Sequence, residues 1–376
     1  MKKVFLSAIS LGICAIALKA HAENSVTLYG ILDNGIAYIH NSGGHSSQWK
    51  MSAGNLSGNE WGLKGTEDLG GGLSAIFTLE NSFDLNSGQL QNNGRLFGHQ
   101  AFVGISSEKL GTLTLGRQYD PVTDLVQPIT ADQYSGLFAT PGDVDNYDSS
   151  VRLNNSVKWV SPVWSGVTAE AAYAFGGVAG SVGSGQSYSA ALGYTAGPLS
   201  LAGGFLHVDN GNVNLSTRGT SSADSFFNSS VNAAYASSRS INIARAGGQY
   251  VVGPVTAGAA YSYSEYSPDA SSTFTKSQKY QNGSVFALWQ VSPEFQAIAG
   301  YNYTKSSGDS SAKYNQFNVG VDYLLSKRTD LYATAGYTHA SGQNGNGAAQ
   351  AVIGSYDVDA GASTQAIVIV GMRHKF

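Results

Sequence analysis

Between Tyr119 and Ser150 the chain carries Asp120, Asp124, Asp132, Asp143, Asp145 and Asp148, and no lysine or arginine. Beside a water-filled passage, such a one-signed stretch would select among ions and orient dipolar solutes; on an outer loop it would merely be solvated. A second set of charges sits on segments with a two-residue repeat, where successive side chains take opposite faces. Trp61 and Leu63 share one face, which leaves Glu60, Gly62 and Lys64 on the other. Leu153, Val157 and Trp159 likewise oppose Arg152, Asn154, Ser156 and Lys158. The same parity puts Asp33, Glu80, Glu170 and Asp322 on the polar face. Arg117 shares parity with Leu113 and Leu115 and is expected at the external end of its strand, or against a neighbouring subunit. Covalent chemistry finds no support. The histidines after the first 22 residues are His40, His45, His99, His207, His339 and His374, and none falls in a Ser/His/acid motif. No Gly-x-Ser-x-Gly elbow occurs, so the chain is read as not an enzyme.

These residues need elements to position them, and the chain start says where those elements belong. Lys2 and Lys3 precede an apolar stretch from Leu6 to Leu18 and then Ala20-His21-Ala22. That order reads as a cleaved export signal over residues 1–22, too short in its apolar part to span a bilayer. The one cysteine, Cys14, falls inside it, so the mature chain, residues 23–376, forms no disulfide and no thiolate metal site. No cofactor and no metal are expected. Removing Lys2, Lys3 and Lys19 takes 21 basic residues to 18 against 25 acidic ones, a net charge of −7. A nucleic-acid-binding surface is thereby excluded.

Charged residues make up 12% of the chain, about half the usual share, while Gly counts 47 and Tyr 21. Mean hydropathy is only −0.11. No later apolar run approaches membrane-helix length. A membrane β-barrel fits this balance, because lipid-facing and water-facing residues alternate and cancel. The alternation is plain where Phe317, Val319, Val321 and Tyr323 oppose Gln316, Asn318, Gly320 and Asp322. It recurs where Val255, Ala257, Ala259, Tyr261 and Tyr263 oppose Thr256, Gly258, Ala260, Ser262 and Ser264. Short turns near 68–72, 108–111, 162–165, 197–198, 253–254, 292–294 and 326–329 alternate with long polar stretches at 41–55, 84–97, 119–150, 177–185, 209–238, 267–281, 306–313 and 341–362. All eight prolines fall in turns or loops, as ladder hydrogen bonding requires. The reading is an all-β, transmembrane antiparallel barrel of about 16 strands in a single domain, with short periplasmic turns and long external loops. Val368, Val370, Met372, His374 and Phe376 share a face of the last strand, which suits closure against the first.

Several motifs recur in order: Ser25-Val-Thr-Leu-Tyr-Gly-Ile-Leu-Asp33, Trp61-Gly-Leu-Lys-Gly-Thr-Glu-Asp-Leu-Gly-Gly-Gly-Leu73, Arg95-Leu-Phe-Gly-His-Gln-Ala-Phe-Val-Gly104, Gly111-Thr-Leu-Thr-Leu-Gly-Arg-Gln-Tyr-Asp120, Thr140-Pro-Gly-Asp-Val-Asp-Asn-Tyr-Asp148, Leu153-Asn-Asn-Ser156 and Arg373-His-Lys-Phe376. Together they resemble the general, non-specific Gram-negative outer-membrane porins of the β-proteobacterial type, over the whole mature chain. The resemblance implies passive diffusion of small hydrophilic solutes and ions through a homotrimer of 16-stranded barrels. It implies a home among outer-membrane lipid and lipopolysaccharide, after export through the periplasm and insertion by the barrel-assembly machinery, with Phe376 as the assembly signal. It also implies that residues 119–150 fold into the barrel and narrow the pore opposite a ladder of basic wall residues.

On that footing Asp124 and Asp132 are expected to face the pore, because the chain after Asp143 must climb back to the wall. Asp120, Asp143 and Asp145 complete the acidic constriction, and Asp33, Glu60, Lys64, Glu80, His99, Arg152 and Lys158 line the wall. Two positions depart from the family: Glu60 and His99 stand where it commonly has arginine. The ladder is thinned and partly inverted, so weak selectivity leaning to cations is expected. His99 would add pH sensitivity or hydrogen-bond the folded-in loop. The alternative function is a substrate-specific porin for one solute class.

Overall fold

The computed structural model describes residues 24–211, 221–225, 227–356 and 358–376. The expected export signal, with Cys14, lies outside the described residues. The chain forms β1 (Ser25–Ser42), β2 (His45–Ala53), β3 (Glu60–Gly70), β4 (Leu73–Ser82), β5 (Gln100–Ser107) and β6 (Gly111–Gln118). A short helix α1 (Pro121–Val126) and several 3-10 turns precede β7 (Leu153–Val160). Then come β8 (Val167–Ala174), β9 (Ser187–Ala196), β10 (Leu199–Asp209), β11 (Ser240–Val252), β12 (Val255–Ser267) and β13 (Gln278–Gln290). The last are β14 (Phe295–Ser307), β15 (Ala312–Leu324), β16 (Thr329–Gly342) and β17 (Thr364–Lys375).

Among the described residues the strands form one antiparallel sheet, each pairing with its chain neighbours except that β2 and β3 do not pair with each other. β2 and β3 occupy a single stave. β2 pairs with Asn34–Ser42 of β1 and β3 pairs with Ser25–Ile31, so the seventeen segments make sixteen staves. β17 closes the barrel on β1, from Ile31 opposite Lys375 to His40 opposite Ala366. Phe376 completes the seam: its N–H donates to the Gly30 carbonyl at 3.0 Å and its carbonyl accepts from the Gly30 N–H at 3.2 Å. Among the described residues no sheet edge is left to face lipid, as a spanning sheet requires.

The two faces sort by chemistry. Val26, Leu28, Val103, Ile105, Phe317 and Val319 are exposed on the outer face, where the bilayer would cover them. Ser262, Ser264, Asn302, Gln316 and Asn318 are buried within. The Trp159–Trp164 pair sits at the end of β7, whereas Tyr301 and Phe317 pair at mid-strand.

Two local readings need correction. The stretch 41–55 is no long loop: β1 and β2 continue through it as a hairpin around Gly43-Gly44. Both glycines take positive φ, 59° and 82°, the backbone that a two-residue turn needs. Leu153 does not face outward. A bulge in the β6–β7 pairing sets Gly116 opposite Ser156 but Gln118 opposite Leu153, and Asn155 takes φ 51°. The extra residue flips parity, and Leu153 packs with Val122, Val126, Val144 and Val151.

Candidate functional site

Residues 119–152 lie along the inner wall, and glycines on that wall make room for them. Asp120 starts the segment by capping α1, its carboxylate accepting from the Val122 N–H at 2.9 Å and the Thr123 N–H at 3.3 Å. Val122 and Val126 of the helix pack with Ala191 on β9, Leu206 on β10 and Ile243 on β11. Farther on, Tyr134, Leu137 and Phe138 pack with Ile298, Tyr332, Ile353, Ile367 and Ile369. A Cβ at Gly320 would lie 2.5 Å from the Tyr134 ring, and one at Gly300 would lie 2.9 Å from Phe138. Asn302 donates to the Phe138 carbonyl at 2.7 Å and Gln316 to the Leu137 carbonyl at 2.8 Å. The return leg is pinned by Tyr266 Oη to the Val144 carbonyl at 2.6 Å and by Arg245 to the Asn146 carbonyl at 2.6 Å. Arg245 also lies over the Tyr147 ring, 4.1 Å from its centroid.

The break between β2 and β3 also turns inward. The Asp33 carboxylate accepts from the Leu56 N–H at 2.6 Å, the Ser57 N–H at 2.9 Å and Tyr332 Oη at 2.5 Å. Ser135 Oγ, from the 119–152 segment, donates to the Asn55 carbonyl at 2.7 Å. The two inward segments flank the open lumen. A space of about 620 Å³ lies toward the long loops, and one of about 340 Å³ lies toward the short turns. Ser57 and Gln133 line both.

The acids of 119–150 divide sharply. Asp132 and Asp148 line the larger space. Burial pushes the Asp132 carboxyl up to about 8, against the pull of Arg245. Burial also raises Asp148, opposed by its Ser355 hydrogen bond and by Arg152. Asp120, Asp143 and Asp145 are buried and fix the segment to itself and to the wall. Asp143 accepts from the Asp148 N–H at 2.9 Å; Asp145 accepts from Thr140 Oγ1 at 2.9 Å and from Ser262 on β12. Burial raises all three carboxyls. Asp124 pairs with Lys158 on β7, and Lys158 also donates to the Tyr119 carbonyl at 3.2 Å.

On the wall, Glu60 and His99 border the larger space. His99 Nδ1 is 3.2 Å from Glu60 Oε2 and 3.3 Å from Glu80 Oε1. Lys64 stands over the Tyr29 ring at 5.2 Å, and Tyr29 Oη donates to Glu80 at 2.7 Å. Arg152 lies over the Tyr119 ring at 4.7 Å and donates to Tyr119 Oη at 3.0 Å. Glu170 is buried, its carboxylate near Lys158 and Asp124, and Asp322 faces Arg373 at 3.6 Å. Arg117, at the end of β6, donates to the Gly98 carbonyl at 2.8 Å and pairs with Asp224 at 2.5 Å. Parity reasoning did not find the inward turn at 54–59, nor Lys50 and Asp84, which border the same space. The spacing Gly54-Asn55…Gly58-Asn59 is a turn signal that could have separated β2 from β3.

A closed barrel, apolar outside and polar within, with two inward segments flanking its lumen, is a transmembrane channel. Residues 7–343 match the Gram-negative porin family. An outer membrane porin protein of Bordetella pertussis (strain Tohama I) is 32% identical over 382 residues, covering 90% of this chain and 94% of its own. An anion-selective porin from Comamonas acidovorans has the same fold, with TM-score 0.74 and 24% identity over 94% of this chain and 100% of its own. The trimer form of OmpT from Vibrio cholerae superposes with TM-score 0.66 at 17% identity, over 94% and 99%. The chain belongs to the Gram-negative porin family. It is an outer-membrane β-barrel that conducts small hydrophilic solutes and ions by passive diffusion.

Proposed function

We propose that residues 119–150 form the pore constriction together with the inward turn at 54–59, and that the pore prefers cations weakly. The carrying observation is the charge on the larger space: Glu60, Asp84, Asp132 and Asp148 against Lys50 and Arg152. Fixed charge lining a narrow passage sets ion preference. Burial keeps Asp132 largely protonated at neutral pH, which holds the preference low. An anion-selective porin from Comamonas acidovorans shares the fold; Glu60 and His99, where the family commonly has arginine, support the cation side here. The barrel is proposed to assemble as a homotrimer in a lipopolysaccharide-bearing membrane after loss of residues 1–22. Phe376 is proposed as the residue read by the barrel-assembly machinery. Support for the trimer comes from OmpT, whose solved form is a trimer. Reversal potentials across a salt gradient in planar bilayers, for the native chain and Glu60→Arg, test the charge reading.

A further inference from the structure

We propose that Glu60, Glu80 and His99 form a binding site for a divalent transition-metal ion of the zinc type in the pore wall. Neighbouring staves bring the three residues to one height. Glu60 stands opposite Ser82 and Gly62 opposite Glu80 across β3–β4, and the His99 N–H donates to the Glu80 carbonyl at 3.2 Å. One oxygen of each carboxylate and one imidazole nitrogen lie within 4.8 Å of one another. Ligands on a tetrahedral zinc ion, bonded at about 2.0–2.1 Å, stand about 3.3 Å apart. The two His–Glu separations, 3.2 and 3.3 Å, already have that spacing.

The chemistry of the cluster favours an ion. His99 turns one nitrogen, Nδ1, toward two carboxylates, and a neutral imidazole has at most one hydrogen there to share between them. A metal in place of that hydrogen takes the Nδ1 lone pair and both carboxylate oxygens. An imidazole with two carboxylates is an ordinary zinc donor set, and three protein ligands leave a fourth position for water. Glu80 is already oriented for this role: Tyr29 Oη holds its Oε2 at 2.7 Å, and its Oε1 faces His99 Nδ1 at 3.3 Å. Such outer partners fix ligand geometry in metal sites. Access comes from the lumen, because Glu60 and His99 border the larger space. The nearby cations are engaged elsewhere, Lys64 over Tyr29 and Arg152 over Tyr119. The site does not depend on the direction of ion preference.

The test is calorimetric titration of zinc chloride into the full-length chain, purified in detergent and stripped with chelator. The expected result is one ion per chain in the native protein. Tyr29→Phe should weaken binding by about tenfold, and Glu60→Gln, Glu80→Gln or His99→Gln should weaken it further. Magnesium, which demands octahedral oxygen ligands, should not compete. Native protein that takes up no zinc, unchanged binding in all three ligand variants, or equal competition by magnesium would overturn the site. Calorimetry reads the site without a current, so its failure is separate from failure of the selectivity reading.

Discussion

Ser57, on the turn between β2 and β3, and Gln133, on the segment between β6 and β7, each border both spaces of the lumen. They stand where the two spaces meet. Ser57 is held there, since its Oγ accepts from Arg373 at 2.8 Å and its N–H donates to Asp33. Replacing Ser57 with tryptophan should lower single-channel conductance by about twofold or more, and Gln133→Ala should raise it. Equal conductance in all three proteins would place the neck elsewhere.

Asp33 is the residue on which the inward turn depends. Its carboxylate receives two backbone N–H groups and a phenol. Asp33→Ala leaves those buried donors without their acceptor, at a cost of about 1–3 kcal/mol. A lower thermal midpoint in detergent, with noisier single-channel current, is the expected outcome. An unchanged midpoint would mean that the turn is held by its other contacts.

Wall glycines make a separate prediction. Gly320→Val would drive a side chain into the Tyr134 ring, and overpacking of this kind costs about 1–3 kcal/mol. The 119–152 segment should lift from β15. Proteolysis within it should then be faster than in the native protein, while the barrel itself stays intact.

Asp132 gives the pore a pH response. Its carboxyl, raised to about 8 by burial, is mainly neutral at pH 7 and ionised at pH 9. Cation preference should therefore grow as pH rises through that window, and Asp132→Asn should remove the step. The same shift affects stability. A carboxyl raised in the folded state binds more protons there than in the unfolded chain, so its contribution to stability falls as pH rises from about 4 to about 8. Asp132→Asn should flatten that slope in thermal melts.

The barrel was legible in the sequence because each stave meets lipid on one face and water on the other, which writes a period of two into residues such as Phe317–Tyr323. Closure was legible for the same reason, in Val368–Phe376. Orientation of the wall charges followed from that parity at Asp33, Glu60, Lys64, Glu80 and Lys158. The interior was much less legible, because its contacts join residues far apart in the chain. Asp145 meets Ser262, and Phe138 meets Asn302 and Gly300. No local pattern separates these acids from Asp132, which borders the open space. Leu153 misled because one extra residue at the bulge inverts parity, and the bulge shows in the β6–β7 register and the positive φ of Asn155 rather than in the residue pattern.

The most direct test of the central claim is the zero-current potential of the reconstituted protein in a planar bilayer with a salt gradient across it. The expected result is open, ohmic steps with a small cation preference that Glu60→Arg reverses or abolishes. Anion preference in the native pore, or a potential that Glu60→Arg leaves unchanged, would contradict that claim.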